Sequence, residues 1–205
     1  MRLAILTLAC AAALGAQPTH QHHPPQSAEE YIRALENPGR DAWQKPHEVI
    51  AALELKPSET VADIGAGTGY FARRFALHVA RVYAVDIDAA LLNVAKKDAP
   101  PNLVTILAVP DDPKLPAASI DTIFFCDVLH HIADRPTYYE RLTRALKPGG
   151  RIVVVDFHKK PLPVGPPEAM KLTSEEVIAE LRAAGFRLKR NLAFLPYQYF
   201  LEFRR

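Results

Sequence analysis

A glycine-rich turn preceded by an acidic residue is the first feature of the sequence that could do chemistry. Residues 61–70 read VADIGAGTGY, in which Asp63 stands two positions before the first of three alternating glycines, Gly65, Gly67 and Gly69. Such glycines permit a sharp turn and let a ligand approach the backbone closely. A carboxylate beside that turn would repel a pyrophosphate and attract an ammonium group. The pattern therefore favours a ligand with a free amino group and no phosphates.

Further residues match the other parts of such a ligand. Asp86 follows Gly65 by 21 residues, a position from which a carboxylate can accept hydrogen bonds from both hydroxyls of a ribose. Ile87 is placed to pack on an adenine ring. Asp111, with Asp112 as the alternative, is placed to accept a hydrogen bond from the exocyclic amine of that ring. The sequence thus offers a carboxylate for an amino group, a carboxylate for a ribose, and two residues for an adenine ring.

A third group of residues could act at the reacting end of the ligand. Residues 126–131 read CDVLHH, and Asp127 could line the cofactor pocket. His130 or His131 could remove a proton, because imidazole titrates near neutrality. Either histidine could instead cap or pack the helix that follows.

Strands that alternate with helices must position these residues. Buried strands are predicted at residues 60–64, 81–85, 103–107, 121–125 and 151–156, with two further strands at 187–192 and 197–203. Helices are predicted between them, including one at 70–80, and a turn is predicted at 147–150. This alternation predicts a single α/β domain with a doubly wound, mainly parallel, seven-stranded Rossmann-like sheet. Ligands of such sheets bind beyond the carboxyl ends of the strands, which is where the residues above fall.

In combination, these residues resemble the class I S-adenosylmethionine (SAM)-dependent methyltransferase family. The resemblance covers roughly residues 45–205 and is carried by residues 61–70, Asp86, Asp111, the Leu-Pro pair at 115–116 and the LKPGG segment at 146–150. It is strongest to the small-molecule branch that includes the ubiquinone/menaquinone-biosynthesis methyltransferases. The family has Gly-Asp where this chain has Pro110-Asp111. The resemblance implies SAM as cofactor, S-adenosylhomocysteine (SAH) as product, no metal, and a sheet with a reversed final strand.

The predicted function is transfer of a methyl group from SAM to a small-molecule acceptor. The enzyme mainly has to position the acceptor and exclude water, and it needs a base only when the acceptor is protonated. The alternative is an exported protein that binds SAM on the same fold without catalysis. A nicotinamide oxidoreductase is disfavoured, because Tyr70 replaces the third glycine of the dinucleotide pattern and Asp63 precedes the turn.

Two segments outside the sheet could cover the site. One is the N-terminal part of the domain, with Tyr31, Arg40, Trp43 and Gln44, although Trp43 could equally be a packing residue. The other is the proline-rich loop at residues 160–167, which could roof an acceptor pocket.

The charge balance indicates which partners to expect. The chain has 25 basic and 23 acidic residues and contains no basic run, so it lacks the electrostatic footprint of a nucleic-acid-binding protein. The partner we expect is therefore a small molecule. The histidines at 20, 22 and 23 have no carboxylate or thiol beside them, so we expect no metal there. The oligomeric state is left open.

The N-terminus predicts export. Arg2 is followed by an uncharged run rich in Leu and Ala, and residues 1–16 together are typical of a secretory signal peptide. A lipoprotein site at Cys10 is less favoured, because Thr7 stands where that pattern has Leu. Residues 17–26 are predicted to be a disordered linker and residues 27–205 the methyltransferase domain. We therefore expect a periplasmic or extracellular protein that is not inserted in a membrane once the signal is removed.

Overall fold

Seven strands form one sheet in the computed structural model, which describes residues 27–205. They are β1 (Thr60–Ile64), β2 (Arg81–Asp86), β3 (Leu103–Leu107), β4 (Ile120–Cys126), β5 (Leu146–Phe157), β6 (Arg187–Leu192) and β7 (Gln198–Arg204). Their order across the sheet is β3-β2-β1-β4-β5-β7-β6. The predicted signal peptide and linker, residues 1–16 and 17–26, lie outside the described residues.

The sheet is parallel except at β7. The pairs formed among β1 to β5 are all parallel, whereas β7 is antiparallel to both β5 and β6. The last strand of the chain therefore lies inside the sheet, and it is buried along nearly its whole length. These pairings confirm the predicted Rossmann-like sheet with its reversed final strand.

Seven helices accompany the sheet within residues 27–205. They are α1 (Ala28–Leu35), α2 (Asp41–Gln44), α3 (Pro46–Leu53), α4 (Ala72–Phe75), α5 (Ala89–Lys96), α6 (Arg135–Ala145) and α7 (Ser174–Ala183), with single 3-10 turns at Pro38–Arg40, Leu129–His131 and Glu168–Met170. Both α1 and α7 begin with a capping box, at Ser27 and Thr173. No helix in this part of the chain is both long and apolar enough to cross a membrane.

The apolar core has two layers because strand side chains alternate between the two faces of the sheet. Along β5, Val154 belongs to the cluster that includes side chains of α6 and α7, and Val155 belongs to the cluster that includes side chains of α3 and α4. All four helices bury apolar side chains in these clusters, which explains the near-continuous apolar runs of the central strands.

Two predictions about local structure were wrong. The helix predicted at 70–80 is limited to Ala72–Phe75, because the N–H groups of Leu77 and His78 bond to carbonyls three residues earlier and tighten the chain into turns. The turn predicted at 147–150 lies within β5. Ile120 of β4 pairs with Leu146 of β5, and the next pair is Thr122 with Arg151. The Pro-Gly-Gly segment of β5 therefore forms an irregularity between two paired stretches.

Candidate active site

The predicted site residues follow strands that end at one edge of the sheet. Ile64 at the end of β1 pairs with Val85 on β2 and with Phe125 on β4. Cys126 at the end of β4 pairs in turn with Val155 on β5. The loops that carry the acidic residues and histidines therefore leave the sheet side by side.

The glycine-rich turn needs glycine for two physical reasons. Gly65, Gly67 and Gly69 have φ angles of +70°, +55° and +89°, in the left-handed region that favours glycine. A Cβ atom on Gly65 would also lie 2.4 Å from Val128 Cγ2, in the loop after β4. The turn is thus packed against the loop that carries the candidate histidines.

Asp86 is held at the end of β2 by backbone groups. The N–H of Gly67 donates to Asp86 Oδ2 at 2.8 Å, and the N–H of Asp88 donates to Asp86 Oδ1 at 3.0 Å. Each carboxylate oxygen can accept a second hydrogen bond, so the fixed carboxylate can still accept from two hydroxyls. The neighbouring Ile87 is 59% exposed and offers apolar surface beside it.

Asp63 is the buried carboxyl beneath the turn, and only 3% of its surface is exposed. Burial raises the pKa of Asp63 to about 8 and the charge of Asp86 raises it too, whereas a backbone hydrogen bond at Ala72 and the charge of Arg40 lower it. A cation bound beside Asp63 would favour its ionised form.

Asp127 belongs to a ring of polar side chains that joins three parts of the chain. Gln198 Nε2 donates to Asp127 Oδ1 at 2.5 Å, and Gln44 Nε2 donates to Gln198 Oε1 at 2.8 Å. Arg40 closes the ring, since it donates to Gln44 Oε1 and its guanidinium lies 3.8 Å from Asp127 Oδ2. Burial and the charge of Asp156 raise the pKa of Asp127 to about 7, while Arg40 and Gln198 lower it.

The N-terminal segment reaches the site, in agreement with one of the sequence hypotheses. Leu35 of α1 lies 3.4 Å from the position of a Cβ atom on Gly67. Partial burial and the charge of Asp86 raise the pKa of Tyr31. Trp43 packs on Phe157 at the end of β5, with ring centroids 5.7 Å apart, so the structure gives it a packing contact.

The two candidate histidines have different surroundings. His130 Nδ1 lies 3.0 Å from both carboxylate oxygens of Asp156, and the two side chains are 2% and 0% exposed. His131 is exposed, and its ring centroid lies 4.2 Å from that of His130. Sequence reasoning ended a predicted strand at residue 156 but missed the contact of Asp156 with His130.

The acidic pair after β3 faces Arg141 of α6. Asp112 Oδ2 accepts from this arginine at 2.7 Å, and Asp112 Oδ1 accepts the backbone N–H of Lys114 at 2.8 Å. Asp111 lies 3.3 Å from Arg141, and its side chain is 65% exposed. Asp111 therefore retains more accessible acceptor capacity than Asp112, and its contact with an adenine amine stays a prediction.

Sequence reasoning also missed Thr68. It lies inside the glycine-rich turn with 2% of its surface exposed, and its Oγ1 is the one buried side-chain polar atom within residues 27–205 that lacks a hydrogen-bond partner. A buried hydroxyl without a partner calls for an explanation, and a polar ligand at the turn would provide one. No three metal-binding side chains in the same residues come together as a metal site.

Comparison with known proteins identifies the fold around this site. Residues 62–154 match the family model described as a methyltransferase domain. The match covers slightly less than half of the chain and includes the glycine-rich turn and Asp86. Among solved structures, a SAM-dependent methyltransferase from Aquifex aeolicus superposes with a TM-score of 0.80 at 24% identity, over 88% of this chain and 99% of that one. A structure of DhpI with bound SAH matches with a TM-score of 0.69 at 22% identity, over 86% and 90% of the two chains.

Two curated relatives of this chain are named for different acceptors. Demethylmenaquinone methyltransferase of Streptomyces avermitilis is 32% identical over 58% of this chain and 51% of the relative. Phosphoethanolamine N-methyltransferase 3 of Arabidopsis thaliana is 29% identical over 71% of this chain and 35% of the relative. The chain thus spans about half or less of the length of these two relatives.

Proposed function

We propose that this protein transfers the methyl group of SAM to a small-molecule acceptor. The observation that carries the proposal is the acidic cluster at the carboxyl edge of the sheet, where Asp63 is buried and Asp127 is largely buried, with pKa values raised to about 8 and about 7. Buried carboxyls of this kind favour a cationic ligand, because a cation reduces the free-energy cost of their ionisation.

The residues of the site fit the parts of SAM. Asp63 would face the ammonium group, Asp86 the ribose hydroxyls, and Ile87 and Asp111 the adenine. The three positive-φ glycines leave their own positions in the turn without side chains, and Thr68 Oγ1 is available to bond a polar group of the ligand. When bound, SAM supplies a methyl group on a good leaving group, so the protein has to orient the acceptor and exclude water.

The segment around Arg40 is suited to excluding water. Arg40 and Gln44 bond to Asp127 and Gln198 across the end of the sheet. The proline-rich loop 160–167 packs against the end of β5. A Cβ atom on Gly165 would lie only 2.7 Å from the ring of Phe157, the last residue of that strand. An acceptor held between these two segments would be shielded from solvent.

The experiment is to incubate the full chain with methyl-labelled SAM and a fractionated extract of small metabolites, with Asp86→Ala as the control. Label transferred to a small molecule by the unaltered protein, and reduced in the variant, supports the proposal. SAM binding without transfer to any fraction would favour the alternative, a binding protein without catalysis.

We also propose that the protein works outside the cytoplasm. The proposal rests on the signal-like residues 1–16. Since SAM is made in the cytosol, an exported enzyme would need a supply of it from the cell.

A further inference from the structure

The contact between His130 and Asp156 suggests how the acceptor is activated. Asp156 has no exposed side-chain surface, and both of its oxygens lie 3.0 Å from His130 Nδ1. Its Oδ1 also accepts the backbone N–H of Phe157 at 2.8 Å. A buried carboxylate bound in this way has a fixed orientation, and it fixes the imidazole ring in turn.

The sequence builds this pair from two adjacent parts of the sheet. Asp156 is on β5 opposite Tyr199 of β7, and His130 is in the 3-10 turn Leu129–His131 that follows β4. Because β4 and β5 are neighbours, the two side chains meet although they are 26 residues apart in the chain.

The same loop touches the glycine-rich turn. Val128, two residues before His130, provides the three atoms that lie within 3.0 Å of the position of a Cβ atom on Gly65. Asp127, in the same loop, is bonded to Gln198 and lies beside Arg40. His130 is therefore anchored next to the turn that would hold the cofactor.

We infer that Asp156 is a positioning residue that directs His130 to accept a proton at Nε2, and that the acceptor is a compound with an ionisable O–H or N–H group. This inference rests on the proposed function. An ionised Asp156 can only accept a hydrogen bond, so the proton of the neutral ring sits on Nδ1 and the free lone pair on Nε2.

Proton transfer to His130 accompanies transfer of the methyl group. His130 Nε2 takes the proton of the acceptor O–H or N–H while the acceptor heteroatom forms a bond to the methyl carbon. The carbon–sulfur bond breaks and its electron pair stays on sulfur, which becomes a neutral thioether. The imidazolium left on His130 is stabilised by Asp156 and then loses its proton to solvent.

Charged and titratable groups from three parts of the chain surround the His130–Asp156 pair. Asp127 lies in the same loop, Arg40 comes from the N-terminal segment, His131 adjoins His130, and Tyr199 of β7 lies opposite Asp156. Burial and then the charge of Asp156 raise the pKa of Tyr199, so the phenol stays neutral.

An activity assay tests the acceptor class. Release of SAH is measured with a phenol, a primary amine and a thioether as probes, for the full chain and for His130→Gln, Asp156→Asn and Asp98→Asn. Asp98 is an exposed residue and serves as the matched control. We expect turnover of a protic probe to fall by about 100-fold in the first two variants, with the KM for SAM unchanged, and to be unaltered in the third. Turnover of the thioether alone, or turnover that persists in His130→Gln, would overturn the inference.

The tautomer of His130 tests the pair even without an acceptor. In Asp156→Asn, the amide oxygen would keep the hydrogen bond from Phe157, which leaves the amide nitrogen to donate to Nδ1 and to favour the Nε2–H form. Nitrogen-15 NMR of the labelled full chain with SAH at alkaline pH, with His130→Gln for assignment, should find Nδ1–H in the unaltered protein and in Asp98→Asn. It should find Nε2–H in Asp156→Asn. If that variant does not fold, the His130 tautomer measured in the unaltered protein is the test. Nε2–H in the unaltered protein would overturn the inference, whereas failure of SAH to bind would instead count against the proposed function.

Discussion

Gly65 and Val128 are in direct contact, and this contact links the glycine-rich turn to the loop that carries His130. A Cβ atom on Gly65 would lie 2.4 Å from Val128 Cγ2. Distances under about 3 Å between such carbon atoms are strongly repulsive, so one of the two segments would have to move.

Gly65→Ala should therefore destabilise the protein by both strain and steric conflict. Gly149 is a matched control, because its φ of +78° is close to the +70° of Gly65 but no atom lies within 4 Å of its Cβ position. We expect Gly149→Ala to lower the free energy of unfolding by about 1–2 kcal/mol from backbone strain alone. Gly65→Ala should lose about 1–3 kcal/mol more from overpacking.

Urea unfolding of both variants measures the difference. The Gly65→Ala/Val128→Ala double variant should recover part of the steric loss. Equal losses in the two single variants would contradict the proposed contact.

The polar ring around Asp127 should depend on Gln198. Replacement by Leu would leave Gln44 Nε2 without an acceptor and Asp127 Oδ1 without a donor, and each buried unpaired group costs about 1–3 kcal/mol. Trypsin should then cleave the N-terminal segment at Arg33 or Arg40 faster than in the unaltered protein.

Asn93→Leu, on the exposed side of α5, is the control for the added apolar surface. Unchanged cleavage in Gln198→Leu would mean that the ring does not hold the segment. The Gln44→Leu/Gln198→Leu double variant should recover part of the lost stability, because two apolar groups can replace a hydrogen-bonded pair.

Binding of SAM should release protons between about pH 7 and pH 8. Without ligand, Asp127 and Asp63 have pKa values raised to about 7 and about 8, mainly by burial. Both carboxyls are partly protonated in that range, and a cationic ligand lowers their pKa values. Affinity should therefore rise with pH and level off above about pH 8.

Calorimetry in buffers of different ionisation enthalpy counts the protons released. Asp63→Asn should remove the part of the release near pH 8. Proton uptake, or no exchange at all, would show that these carboxyls do not face the ligand's cationic groups.

The N-terminal prediction has a separate test. Mass spectrometry of the protein secreted from its native host should find a chain that begins at Gln17, because a signal peptidase would cleave after Ala16. Ala16→Phe should block this cleavage. An intact Met1 on the mature soluble protein would contradict the predicted signal peptide.

Much of the fold could be predicted because it depends on local patterns. The bounds of β1, β3 and β6 agree with the predicted ranges 60–64, 103–107 and 187–192. In each case turn-forming residues flank a segment that suits a strand. The three glycines of the turn also have the positive φ angles for which glycine is needed.

The partners of the site residues were harder to predict, because they depend on long-range packing. Gln198 bonds to Asp127 across 71 residues, and this contact exists because β7 inserts between β5 and β6. The missing partner of Thr68 Oγ1 becomes evident only when every neighbouring atom is placed. Alternation of polar and apolar residues identifies a strand but does not specify its neighbours.

The most direct test is calorimetric titration of SAM and SAH into the full chain, alongside Asp86→Ala and the control Glu140→Ala, which removes an exposed carboxylate from the helix α6. Both ligands should bind with micromolar affinity, unchanged in the Glu140 variant. In Asp86→Ala the affinity should fall by about 10- to 100-fold, because hydrogen bonds to a charged group contribute about 1.5–3 kcal/mol. Absence of binding by the unaltered protein, or equal affinity in the Asp86 variant, would contradict the assignment of this edge of the sheet as a SAM site.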